Sequence, residues 1–245
     1  MPEQLDLVAA DEQIMRRLID QPELKLWLDT DIEFGTPRAN MTVGLLTQTG
    51  FLSASNQAQA QLYQDLVNDS LSATVYPAYL AGLGYSIAVA DSGFAISVNG
   101  YQDKQMALLN TVTQRLFSAD ISAERFATIK RSLIKDWRNS LKDKPYVQAL
   151  GALGDTLLSG SWPANDLADA LEPVTLDALM QWRNQQLKDV GVIAALHGNV
   201  TVAEAELLHE FIDTTIKPKT VARQRSKVAK LTETLRLDLA VDHND

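Results

Sequence analysis

Three histidines, His197, His209 and His243, are the side chains best suited to metal or acid–base chemistry in this sequence. Peptide hydrolysis on zinc needs three protein ligands and an open fourth position for water. The helical motifs H-E-x-x-H and H-x-x-E-H supply two of those ligands on one helix face. No two of these histidines lie three or four residues apart, so neither motif is present. Glu206-Leu-Leu-His209 sets a carboxylate and an imidazole one turn apart, either a two-ligand fragment or an exposed helix pair. His197 follows an apolar run and precedes Gly198-Asn199. It reads as an acid–base group at a strand end or as a hydrogen-bonded residue at a strand-to-helix turn. Asp242-His243-Asn244-Asp245 has ligand-type side chains but ends the chain. No metal ligand set and no catalytic residue is assigned within these residues.

Other chemistries fare no better. There is no cysteine, which excludes disulfides, thiolate metal sites and a cysteine nucleophile. No G-x-S-x-G elbow is present. Gly82-Leu-Gly-Tyr-Ser86 lacks the Gly-Lys-Ser/Thr ending of a phosphate loop and leads into a strand. A net charge of −9 and a pI of about 4.8 argue against a nucleic-acid groove, which needs clustered Lys and Arg. The basic stretch Arg223 to Lys230 reads as a solvated loop in preference to a docking site, and Trp27, Trp137, Trp162 and Trp182 as core and interface packing residues. No apolar run of about 18 residues offers a membrane span, and the acidic N-terminus lacks signal-peptide character.

The elements that would position any site centre on Leu80 to Gln105. Leu83 to Ala90 and Phe94 to Val98 are two strands, with Asp91, Ser92 and Gly93 as the turn, which makes a β-hairpin. Phe94, Ile96 and Val98 form an apolar face, and Ala95, Ser97 and Asn99 a small, polar one. Gly100 is expected to end the second strand, with Asp103-Lys104 leading into a helix over Lys104 to Phe117. Upstream, Leu5 to Ile19 reads as a modest amphipathic helix or lead-in ended by Pro22. Leu24 to Leu28 and Met41 to Thr47 read as neighbouring strands joined by a crossing. A helix over Ser55 to Leu71, capped by Ser53 or Ser55, precedes a second one begun at Val75 to Leu80.

Downstream, Ser122 caps a helix over Ala123 to Leu141, and Pro145 opens one reaching Leu158. Short helices follow at Asp166 to Leu171 and Thr175 to Leu187. Val190 to Leu196 is a buried strand. Thr201-Val-Ala-Glu204 is a capping box for a helix to about Ile216. Lys217 to Lys227 is a loop, and Leu235, Leu237, Leu239 and Val241 alternate as a last strand. The sum is an α+β fold, a mixed sheet of about six strands with helices packed mainly on one face. Residues 24–245 are expected to form a single domain, with 1–23 as a linker or lead-in.

Five stretches in register carry a family resemblance. They are KLWLDTDIEFGTPRANMTV from Lys25, LVNDSLSATVYPAYLAGLGYSI from Leu66, SVNGYQDKQ from Ser97, ERFATIK from Glu124, and HGNVT from His197. Together they resemble the middle (third) domain of the pitrilysin/insulysin, or insulinase, family of zinc metallopeptidases. The resemblance implies a parent of four homologous α+β domains enclosing a chamber. Its zinc lies on H-x-x-E-H and a downstream Glu in the first domain, and the third domain is a non-catalytic wall. It implies other domains of the same polypeptide as partners, peptides as substrates, no cofactor in this chain, and a bacterial periplasmic or secreted setting. The segment before Lys25 would correspond to the linker between halves, and the fourth domain would follow this chain. The final strand without a visible partner fits a longer polypeptide.

Ala95, Ser97 and Asn99 are expected either to face the chamber and meet peptide or to be ordinary solvent-exposed residues. Tyr101 and Asp103 either join that surface or anchor the turn. The alternative function is a stand-alone interaction or assembly module of the same fold.

Overall fold

The computed structural model describes residues 15–140 and 142–231. Within them a six-stranded sheet runs in the order β1-β2-β6-β3-β5-β4. The strands are β1 Arg16–Asp20, β2 Leu24–Thr30, β3 Arg38–Thr47, β4 Leu83–Ala90, β5 Gly93–Tyr101 and β6 Val190–Gly198. Only the β2–β6 pair is parallel, with Leu26 opposite Ala194 and Asp29 opposite His197. The other neighbours are antiparallel, so the sheet is mixed. The helices are α1 Ala54–Leu80, α2 Gln105–Ser118, α3 Ala123–Ser140, α4 Pro145–Leu157, α5 Ala164–Leu171, α6 Leu176–Gln186 and α7 Val202–Phe211. This is the α+β architecture expected from the alternation of strand and helix patterns.

Period-2 patterning decides which face is covered. Leu24, Leu26 and Leu28 on β2, Met41, Val43 and Leu45 on β3, Phe94, Ile96 and Val98 on β5, and Val192, Ala194 and Leu196 on β6 are all buried. Helices α1 and α2 lie against the hairpin strands, and α7 lies against β2. Phe94 packs edge-on against Phe51 (centroids 4.9 Å apart) and Tyr63 (6.2 Å). The Tyr63 hydroxyl donates to the Leu116 carbonyl (2.6 Å) and accepts from Arg183 Nη1 (3.1 Å), which also donates to the Phe117 carbonyl. Burial raises the phenol pKa, and the Arg183 charge partly offsets that rise. The guanidinium therefore ties α6 to α1 and to the end of α2 without leaving the hydroxyl unpaired.

Local chemistry explains the element ends. Ser53 caps α1 by accepting the Asn56 N–H, Thr175 caps α6, and Thr201 and Glu204 complete the capping box of α7. Gly93 and Gly100 bracket β5 at φ +149° and +120°. A Cβ there would lie 2.1 Å from the Leu45 carbonyl oxygen and 2.2 Å from that of Gly82, so both positions require glycine.

Several expectations are corrected. Arg16–Asp20 is an edge strand, not the end of a helix; its residues pair with β2 through a bulge between Arg17 and Ile19. Strands β2 and β3 are not neighbours, because β6 inserts between them. Residues 54–80 form one helix, with Pro77 on the exposed side of its last turn while Val75 and Ala78 still pack on the core. The hairpin turn contains two residues, Asp91 and Ser92, since Gly93 already pairs with Ala90. Gly100 does not end β5, which continues to Tyr101 opposite Arg38. The expected strand at Leu235 to Val241, the first part of the expected N-terminal helix and His243 lie outside the described residues.

Candidate functional site

Among the described residues no helix covers the other face of the sheet, and its residues line up in cross-strand rows. In one row Asp29, His197, Asn40, Asn99 and Gly84 stand side by side across β2, β6, β3, β5 and β4. The next row is Trp27, Ala195, Thr42, Ser97 and Ser86, followed by Lys25, Ile193, Gly44, Ala95 and Ala88. The centre of the face is therefore small, and one end of it is polar. Thr42 and Ser97 share a hydrogen bond between hydroxyls (3.0 Å). His197 Nδ1 lies 2.9 Å from Asp29 Oδ2, with the ring more than half exposed.

Ala95, Ser97 and Asn99 do share this open face. Tyr101, at the end of the same strand, lies beneath the Arg38 guanidinium (5.4 Å to the ring centroid) and against Gly82. Its contacts therefore hold the strand end and the turn at Gly82. Sequence reasoning missed Asn40 and Asp29 as neighbours of this surface. The alternation Asn40-Thr42-Gly44 against Met41-Val43-Leu45 was the available signal for the outward residues of β3. Their position beside Asn99 and His197 comes from long-range pairing.

Two cavities open at the ends of this face. One of about 310 Å³ is lined by Asp31, Arg38, Asn40, Asn99 and His197, among others. The other, about 450 Å³, lies between Thr42, Gly44, Ala95 and Ile193 and the side chains of Arg223 and Arg225 on a strap, the extended segment 217–231. That strap is fastened to the hairpin turn. Asp91 accepts hydrogen bonds from the Ser226 backbone N–H (2.8 Å) and hydroxyl (2.6 Å), and the Ser92 hydroxyl donates to the Gln224 carbonyl.

Among the described residues the geometry does not fit a catalytic zinc site. No group of three or more His, Cys, Asp or Glu side chains among the described residues could hold a metal ion. His197 has Asp29 as its carboxylate partner, and His209 pairs with Asp213 (3.0 Å) rather than with Glu206. Among the described residues no helix is long and apolar enough to cross a membrane.

A mixed sheet with helices on one face and an exposed opposite face, small at its centre, defines an α+β domain of two layers. Solved structures share that fold. Pitrilysin superposes with a TM-score of 0.83 at 18% identity, over 91% of this chain and 24% of its own. An inactive domain of peptidase M16 from Pseudomonas fluorescens does so with a TM-score of 0.66 at 15% identity, over 88% and 54% of the two chains. Residues 1–170 match the family described as the middle or third domain of peptidase M16. Human insulin-degrading enzyme is 30% identical over 192 residues, 78% of this chain and 19% of that protein. The chain belongs to the peptidase M16 family, the pitrilysin/insulinase metallopeptidases, as a middle domain. It spans about a fifth of the length of the human relative.

Proposed function

We propose that this chain is a non-catalytic wall of a chamber in a larger zinc metalloendopeptidase, with its open sheet face turned toward enclosed peptides. The observation that carries the reading is the contrast within one sheet. A helix-covered apolar face lies behind an uncovered face of Thr42, Ser97, Ala95 and Asn99, in a chain of the M16 middle-domain family. In this reading residues 24–245 form one domain entered by residues 1–23, and the zinc and its ligands belong to another domain of the same polypeptide. Peptides and the neighbouring domains are its partners. Ala95, Ser97 and Asn99 touch substrate, and Tyr101 supports them.

The net charge of −9 would bias such a chamber toward neutral or basic peptides, an effect that salt weakens. A periplasmic or exported setting belongs to the same reading and is tested by cell fractionation. The decisive experiment is an immunoblot of native cell extract with an antibody against this chain. The reading expects a polypeptide several times the 27.0 kDa of these residues. A band at 27.0 kDa would favour a stand-alone interaction module instead.

A further inference from the structure

The two cavities are ends of one lane. Along β3 the outward positions run Asn40, Thr42, Gly44 and Leu46, from the polar cavity to the arginine-lined one. Six residue steps of strand span about 20 Å, the length of an extended peptide of about six residues. The floor between them is low. Gly44 has no side chain, Ala95 beside it on β5 carries only a methyl group, as does Ala195 beside Thr42, and Ile193 on β6 forms the apolar side wall next to Gly44. A peptide backbone can therefore lie close to the sheet there.

The ends differ in charge. At the far end Arg223 and Arg225 line the 450 Å³ cavity. Neither guanidinium is engaged by a carboxylate among the described residues, and the nearby Asp91 carboxylate is already taken by Ser226. At the near end the exposed amides of Asn40 and Asn99 stand on adjacent strands, beside His197. Each amide can both donate to and accept from a peptide backbone. The strap that carries the arginines is held in place by the Asp91 and Ser92 hydrogen bonds, so the cations are presented over the lane by structure.

We infer that this face binds an extended peptide of about six residues along β3, with a peptide carboxylate between Arg223 and Arg225 and the opposite end on the Asn40–Asn99 amides. Paired guanidinium groups recognise a carboxylate through charge-assisted hydrogen bonds, and a C-terminal carboxylate or an acidic side chain can supply it. The inference rests on the wall reading, and makes this local patch prefer acidic peptide ends although the domain as a whole is acidic.

The test is an NMR titration of the 245-residue chain with three versions of one hexapeptide: a free C-terminal acid, a C-terminal amide, and the amide ending in Glu. The free acid is expected to bind about tenfold or more tightly than the plain amide, shifting Thr42, Gly44 and Ala95 amides. In the Arg223→Gln/Arg225→Gln chain, whose changes lie on an exposed strap, that preference should collapse to less than about twofold. If the amide ending in Glu matches the free acid, an acidic side chain is also an accepted source of the carboxylate. Equal binding of acid and plain amide, an unchanged preference in the double variant, or no binding to this face overturns the inference. Any of these leaves the wall reading to be decided separately by the size of the native polypeptide.

Discussion

The two faces of the sheet are built from the same strands and differ in what lies against them and in the size of their side chains. On the closed face successive residues are Leu, Val, Met, Ile and Phe, nearly all fully buried beneath α1, α2 and α7. On the open face the intervening residues of β3 and β5 are mostly Thr, Ser, Gly, Ala and Asn, with Trp27 and Ile193 beside them on β2 and β6, and no helix among the described residues covers them. A sheet in a free-standing domain can leave one face to water, so openness alone is ordinary. What distinguishes this face is its lack of bulk at the centre, with a row of amides and an Asp–His pair at one end and two arginines at the other. In the proposed reading, stability and interaction fall to alternate residues of one strand.

Substitutions at neighbouring positions of β5 break or sharpen that comparison. Phe94→Ala, on the closed face, removes the ring packed on Phe51 and Tyr63 and should cost about 3–5 kcal/mol, read by urea denaturation. Gly93→Ala, one residue earlier, forces a Cβ into the Leu45 carbonyl at φ +149°. It should cost about 3 kcal/mol by the same measurement. Ser97→Ala, on the open face, removes one half-buried hydroxyl pair with Thr42 and should cost about 1 kcal/mol or less. A Ser97 loss as large as that of Phe94 would mean that the open face also carries stability.

The smallest effect concerns Asp65 on α1, away from either face. Burial is the main cause raising its carboxyl pKa, Gln61 opposes the rise by donating to it, and the charge of Asp136 adds to it. The folded state then holds the proton more tightly than the unfolded chain. The ionised group costs stability at neutral pH, and that cost disappears as pH falls through the raised value to below the ordinary carboxyl range. Asp65→Asn should therefore raise the Tm slightly at pH 7, with the gain shrinking on acidification. A gain that stays constant from pH 7 to pH 3 would contradict this.

Much of the closed face was legible because its signal is local. Alternation in Leu24–Leu28 and Phe94–Val98, the capping box at Thr201 and Pro145 at the start of α4 all depend on residues a few positions apart. What was misread depends on distant partners. Strand β1 has no buried face of its own, and its strand character comes from pairing with β2 and from Arg17 lying over Trp27. Nothing near residues 24–47 announces that a strand some 150 residues later will separate β2 from β3. The open face divides in the same way. Ala95, Ser97 and Asn99 were visible from the period of one strand, whereas Asn40, His197 and Asp29 became their neighbours only through register.

The most direct test of the division between faces is peptide hydrolysis by the native polypeptide that contains these residues, carrying Ser97→Trp. An indole at that position obstructs the open lane while leaving the helix-covered core untouched. The account predicts that turnover of long peptides falls several-fold, with metal content, Tm and cleavage of a very short reporter peptide unchanged. Undiminished hydrolysis of long peptides by a variant with the native Tm would contradict it.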